Sequence, residues 1–162
     1  MSQIIIRQAT LSDANLLAEL VITVHQLHVD NMPERFKPLK PDNVALIANY
    51  ERHLANANTT IYIAEVDTIA VGFVMCIYII IPENPYVYSK GDFHIDQISV
   101  NTDYQGQGVG KLLMQQAMQK AQELKADIVT LGVSAFNERA IQFYEDLGFS
   151  TMSQKMWLKM DS

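Results

Sequence analysis

Apolar residues recur along the chain with two periods, and the points where the period changes divide it into elements. Gln3 to Ala9 is short and β-branched, which predicts an opening strand. Thr10, Ser12 and Asp13 then offer helix caps. Leu16, Leu17, Leu20, Val21, Val24 and Leu27 follow at helical spacing and predict one helix of about four turns ending near His28. Asn31 to Pro41 carries Pro33, Pro38 and Pro41 and is excluded from regular helix or inner strand. Asp42 to Ala57 reads as a second helix. Thr59 to Val66 and Ile69 to Ile81 read as paired strands joined at Asp67-Thr68. The second is almost wholly apolar, the pattern of a strand covered on both faces.

Pro82 to Gly91 is a loop displaying Tyr86 and Tyr88, and Asp92 to Val100 is the next strand. In the helix predicted over Gln107 to Leu124, the residues Val109, Leu112, Leu113, Ala117, Ala121 and Leu124 make the apolar face. A strand at Asp127 to Ser134 and a helix at Asn137 to Leu147 follow, and Phe149 to Met160 holds one or two last strands. This order predicts a mixed α/β fold, a central sheet with helices on both faces.

The 162 residues are expected to form a single domain, 1–162. Hydrophobic residues are 49% and charged ones 19% of the chain, a globular mixture. A net charge of −6 argues against nucleic acid or an anionic membrane surface as partner, and suits a cationic one such as an amine. The lone Cys76 leaves no internal disulfide and fits a reducing compartment. Ile69 to Ile81 is shorter than the ~20 residues of a membrane helix, and the first residues lack a secretory pattern. A soluble, cytoplasmic protein is expected.

Three glycines, Gly106, Gly108 and Gly110, crowd the start of the third predicted helix. Each glycine inside a helix costs roughly 1 kcal/mol relative to alanine, so the cluster needs a reason. A strand, a tight glycine turn and a helix N-terminus together form a cradle for phosphate, because the first helical N–H groups have no intrahelical acceptor and the dipole is positive there. The spacing is not that of a nucleotide-binding P-loop. Only three residues separate Gly106 from Gly110, and Leu112 follows Lys111, so no hydroxyl is placed for Mg²⁺. Nor does it match the dinucleotide fingerprint, which opens the first strand–helix unit of its domain.

The stretch Gln105-Gly-Gln-Gly-Val-Gly110, after a strand ending in Val100, resembles motif A of the GNAT superfamily of acetyl-CoA-dependent N-acetyltransferases. Asn137-Glu-Arg-Ala140-Ile-Gln-Phe-Tyr144-Glu-Asp-Leu-Gly148-Phe149 resembles that family's following helix, and Ile6-Arg-Gln-Ala-Thr10 with Asp13 its opening strand and helix. The resemblance implies a GNAT-like mixed sheet splayed at the motif A strand. It implies acetyl-CoA as cosubstrate, with no metal. The backbone of Gln105, Gly106, Gln107, Gly108, Val109, Gly110 and Lys111 would hold the pyrophosphate. Ile98, Ser99 and Val100 would pair with the pantetheine arm near a bulge, Asn137 would touch that arm, and Tyr144 would protonate the leaving thiolate.

Acetyl transfer to an amine of pKa ~10.4 starts with roughly one molecule in 2,500 deprotonated at pH 7, a handicap of about 4.6 kcal/mol that a general base removes. In a regular strand residues 94, 96, 98 and 100 share a face. His94 and Asp96 fall where the family places catalytic histidines or acids, and Asp96, nearer the bulge, is slightly preferred. An amide near Ile98 or Ser99 could stabilise the oxyanion.

His25 and His28 share a helix face without a third ligand nearby, so they are read as pocket lining or helix capping rather than as a metal site. His28, Met32, Phe36, Tyr78 and Tyr86 are the candidate acceptor-site residues, with Tyr88, Glu83 and Asp92 nearby, and a small-molecule amine is the preferred acceptor. A homodimer through the apolar C-terminal segment is an analogy to the family. The competing readings are a non-catalytic acyl-CoA-binding sensor or partner protein, and an acetyltransferase acting on a protein amine.

Overall fold

The computed structural model describes residues 2–161. The chain divides into two compact units, Met1–Gly132 and Val133–Ser162. The first is built on one five-stranded sheet with strands in the order β1 (Ile4–Gln8), β2 (Thr59–Val66), β3 (Ile69–Ile81), β4 (Lys90–Val100) and β5 (Ile128–Leu131). Neighbours from β1 to β4 are antiparallel, and β5 lies parallel to β4. The mixed sheet follows from the connections. Tight turns join the antiparallel strands β2 and β3, whereas a parallel neighbour needs a crossover helix.

Ladder partners share a face, so register sorts the side chains. Ile61, Ile63, Phe73 and Met75 form one apolar face. On it pack helices α1 (Ala14–Leu20) and α3 (Val44–Ala55), through Leu17, Leu20 and the fully buried Tyr50. The opposite face, with Tyr62, Val74 and Cys76, receives α4 (Val109–Glu123). Helices thus cover both faces, and β3 is buried along its middle for that reason.

Three details depart from the sequence reading. The single helix expected over residues 13–28 is two, α1 and α2 (Ile22–Asn31), jointed at Val21. Ser99 Oγ, buried in β4, donates to the Leu20 carbonyl at 2.7 Å, taking up a helical acceptor at the joint. In α4, Leu112 is exposed and Met114 is buried in its place. The stripe Val109–Leu113–Ala117–Ala121 runs in steps of four, and Leu112 falls on its outer flank. The strands expected within Phe149 to Met160 do not form among the described residues. Met152, Met156, Trp157, Leu158 and Met160 are all exposed, and no ladder reaches that segment to satisfy its backbone. No helix among the described residues is long and apolar enough to cross a membrane.

Arg7 ties three elements together. Its Nη1 and Nη2 donate to the two oxygens of Asp13 at 2.9 Å each, and Nε donates to Glu65 on β2 at 2.7 Å. Asp13 is buried, also accepts the Thr10 backbone N–H at 2.7 Å, and so closes a capping box on the 3-10 turn Leu11–Asp13 that leads into α1. The Arg7 hydrogen bonds hold the Asp13 carboxyl below the usual carboxylate range, against the opposing effect of burial. Asp13→Asn is therefore expected to lower the unfolding free energy near neutral pH by about 2 kcal/mol. Because the folded pKa is depressed, the contribution is complete above the unfolded value of about 3.9 and is lost as pH falls through the lower folded value. Urea titrations of both proteins at about pH 7 and about pH 2.5 should show the gap shrinking at the acid end.

Candidate active site

Strand β4 carries the irregularity that organises the site. Its partner on β3 is Ile95 for Cys76 but Gln97 for Met75, so Asp96 is an extra residue, a β-bulge. The bulge lies two residues before the expected Ile98–Ser99, and it breaks the simple alternation. His94 shares its face with Gln97 and Ser99, opposite Ile77, Met75 and Phe73, whereas Ile98 and Val100 join Phe93 and Ile95 on the other face. The expectation that 94, 96, 98 and 100 lie together is thus corrected, because one inserted residue reverses the parity of all that follow.

Pairing with β5 ends at the same place. It runs from Asp92 to Ile95 and no further, so beyond the bulge β4 has no strand partner on that side among the described residues. Ile98, Ser99 and Val100 lie along this open edge. The Ser99 side chain is occupied with Leu20, so only its backbone is available. Val100 oxygen accepts from Gln105 Nε2 at 2.9 Å. Across β3 the fit is close: a Cβ on Gly72 would stand 2.6 Å from the Ser99 carbonyl oxygen, so a side chain there would push the two strands apart.

After β4 the chain makes one 3-10 turn (Thr102–Tyr104) and enters the glycine stretch. Gly106 and Gly108 precede α4, with φ of +75° and +88°; only Gly110 lies within it. Three glycines in one helical turn therefore overstated the penalty. Two are there for left-handed backbone that other residues adopt at a cost of about 1–2 kcal/mol. A Cβ on either would meet nothing within 4 Å, so no packing demand accounts for them and the space before the backbone is open. Gly108 is the N-cap, and Leu112 N–H to Gly108 oxygen at 3.0 Å is the first helical bond. The N–H groups of Gly108, Val109, Gly110 and Lys111 thus have no intrahelical acceptor. Gln105, Gln107 and Lys111 are exposed beside them. The residues present fit a diphosphate: amides, dipole and room, with no carboxylate in the run from 104 to 111.

At the other end of β4 lies a polar chain the sequence did not reveal. Thr130 on β5 stands opposite His94, with His94 Nδ1 2.9 Å from Thr130 Oγ1. Thr130 Oγ1 donates to Asp92 at 2.8 and 2.9 Å. Gly91 and Asp127 exchange hydrogen bonds of 2.7 and 2.8 Å that pin the two strands in this register. On the same face Tyr50 Oη donates to Gln97 Oε1 at 2.7 Å. Asp96 is exposed. Burial, and secondarily the charge of Asp96, pushes the Cys76 thiol up to about 12, so it is a thiol rather than a nucleophilic thiolate. No signal in the sequence marks Thr130 or Gln97, since their partners are set by strand register.

In the second unit, α5 (Glu138–Asp146) starts at Asn137, whose Oδ1 accepts the Ala140 N–H at 3.2 Å. Tyr144 is buried and packs against Phe143 and Phe149, ring centres 5.3 and 5.9 Å away. Burial raises its phenol to about 12.

The candidate acceptor residues do not form one group. His28 and Phe36 meet edge-on at 5.1 Å, and His25 contacts the same ring while its Nε2–H donates to the Lys37 carbonyl at 2.6 Å. Met32 caps α2 between them. Tyr78 lies on the face of Phe93, away from that of His94, and lines a cavity of about 330 Å³ with Gln8, Leu54, Lys120 and Leu124. Tyr86 is exposed at the β3–β4 loop.

Comparison with known proteins gives the family. The family model described as Acetyltransferase (GNAT) family matches residues 22–149, well over half of the chain. The chain belongs to the GNAT family. It is 34% identical over 100 residues to an uncharacterised N-acetyltransferase of Methanocaldococcus jannaschii, covering 61% of this chain and 43% of that protein. It is 31% identical over 121 residues to an N-alpha-acetyltransferase of Sulfurisphaera tokodaii, covering 68% and 71%. It therefore spans less than half of the first relative's length and about 71% of the second's. A Bacillus halodurans protein solved as a tetramutant has the same fold, with a TM-score of 0.90 at 24% identity over 96% of this chain and 99% of that one.

The two kinds of glycine should separate in stability. Gly108→Ala is expected to destabilise the protein by about 1–2 kcal/mol through the left-handed conformation. Gly110→Ala, at a helical position, should carry no such strain and is expected to be neutral or stabilising. Chemical denaturation of the pair checks the sign of each.

Proposed function

We propose that this protein is an acetyltransferase that moves an acetyl group from acetyl-CoA to the primary amine of a small molecule. The observation that carries the reading is the juxtaposition in β4–α4 of an unpaired strand edge and an anion cradle. An extended amide-bearing arm can add to the edge as a strand would, and a diphosphate suits the cradle. Acetyl-CoA supplies an activated acyl group attached to such an arm. Membership in the GNAT family supports the same chemistry.

Within it the residues take these roles. The backbone of Gln105 to Lys111 binds the pyrophosphate, Ile98 to Val100 align the arm, and the amide of Ile98 or Ser99 faces the developing oxyanion. Asn137 contacts the arm, and Tyr144, its phenol held protonated by burial, donates to the leaving thiolate. His94 serves as general base. Asp96, exposed at the bulge, draws the ammonium form of the acceptor toward it. The wall of His28, Met32 and Phe36 favours a compact organic amine. A protein N-terminus is the second reading, favoured by the name of the Sulfurisphaera relative.

Thiol release from acetyl-CoA should be measured with ornithine, spermidine, tyramine, kanamycin and a short peptide with a free N-terminus. Transfer to one of the first four, and not to the peptide, is expected. Binding of CoA without transfer to any of them would favour a non-catalytic sensor. Tyr144→Phe is expected to lower kcat by about 10–100-fold while leaving the Kd for CoA within about two-fold. A wild-type kcat in that variant would remove Tyr144 from the mechanism.

A further inference from the structure

We propose that Thr130 and Asp92 are positioning residues that fix the tautomer of His94, so that Nε2 is the atom that accepts the amine's proton. The proposal rests on the acetyltransferase reading and on His94 as its base. Thr130 Oγ1 lies within 2.8 and 2.9 Å of the two Asp92 oxygens and 2.9 Å from His94 Nδ1. A hydroxyl has a single proton, and a carboxylate offers only acceptors. That proton is therefore directed at Asp92, and Thr130 must accept from the imidazole. Nδ1 then carries the hydrogen, and in the neutral ring the lone pair is left on Nε2. Among the described residues Nε2 has no hydrogen-bond partner.

The fold holds this arrangement without the help of a ligand. His94 and Thr130 are direct partners in the parallel ladder, and the two Gly91–Asp127 bonds lock that register where β5 begins. Thr130 is β-branched, so its hydroxyl has few rotamers to choose from. In the transfer step the amine nitrogen bonds to the acyl carbon, its proton passes to Nε2, the carbon–sulfur bond breaks, and the thiolate takes a proton from a donor. Nδ1 keeps its hydrogen throughout. The charge gained by the ring strengthens the Nδ1–H bond to Thr130 and, through it, the Thr130 bond to Asp92. No proton has to reach Asp92.

The test uses the full chain and combines NMR with kinetics. Nitrogen-15 spectra of the ligand-free protein should show neutral His94 as the Nδ1–H tautomer. Thr130→Val should lose that preference, and Thr130→Ser should keep it. With acetyl-CoA and the fastest amine of the panel above, Thr130→Val should lose about 10-fold or more in kcat, out of the roughly 10²–10⁴ a general base supplies. Its KM for acetyl-CoA should stay within about two-fold, and Thr130→Ser should restore kcat. An Nε2–H tautomer in the wild type overturns the proposal, as does a wild-type kcat in Thr130→Val beside a slow His94→Gln. If His94→Gln is itself as fast as wild type, the proposal falls and the transferase reading stands. If no amine is acetylated by the wild type, the transferase reading falls and takes the catalytic role of Nε2 with it.

Discussion

Strand β4 is bonded on both sides only as far as Ile95, and the candidate site depends on that limit. From Asp92 to Ile95 the strand is held by β3 and β5 together. At Asp96 one extra residue enters, pairing with β5 stops, and the rest of the strand keeps β3 alone. A bulge raises the local twist and bends the strand, which is how a sheet opens without losing its core. The face toward α1 and α3 stays closed because Gln97 and Ser99 are bonded to Tyr50 and Leu20. The opening is therefore confined to backbone, and backbone donors and acceptors are what an extended ligand arm needs.

The glycine loop completes this geometry by conformation rather than by flexibility. Gly106 and Gly108 turn the chain through left-handed positions so that α4 presents its N-terminus beside the end of β4. The free N–H groups and the dipole act together on an anion, each such interaction being worth about 0.3–1 kcal/mol at an exposed site. No single contact of that size would hold a diphosphate, whereas several aligned amides would. The same α4 buries Val109, Leu113, Ala117 and Ala121 against the sheet, so the cradle stands on a rigid element.

Rigidity also explains why the polar residues of β4 differ in character. Asp92 and His94 lie where the strand has two neighbours, and register gives them fixed partners. Asp96 lies where one neighbour has ended and is left exposed. The first situation restricts a side chain to one arrangement, and the second leaves a carboxylate open to solvent. At the far edge of the sheet, Arg7 with Asp13 and Glu65 is a structural counterpart: a paired charge network far from the cradle in register, serving the junction of β1, β2 and α1.

Most of the element order, the hairpin at Asp67-Thr68 and the family were legible in the sequence. Each rests on a local signal: period of hydrophobicity, turn chemistry, or glycines at fixed spacing. The helix starting at Asn137 was legible for the same reason. Register was not. The bulge at Asp96, which reverses the faces of Ile98 and Val100 relative to His94, adds a single residue with no mark of its own, and alternation cannot foresee it. The joint at Val21 needed the Ser99 hydroxyl from a strand 79 residues away. The strands expected after Phe149 failed because apolar residues alone do not make a strand without a partner to bond. Thr130 became a partner of His94 only through the parallel ladder. Sequence thus determined most of the elements and the family, because those depend on neighbours along the chain. Tertiary structure decided which side chains meet, because that depends on how strands slide past one another.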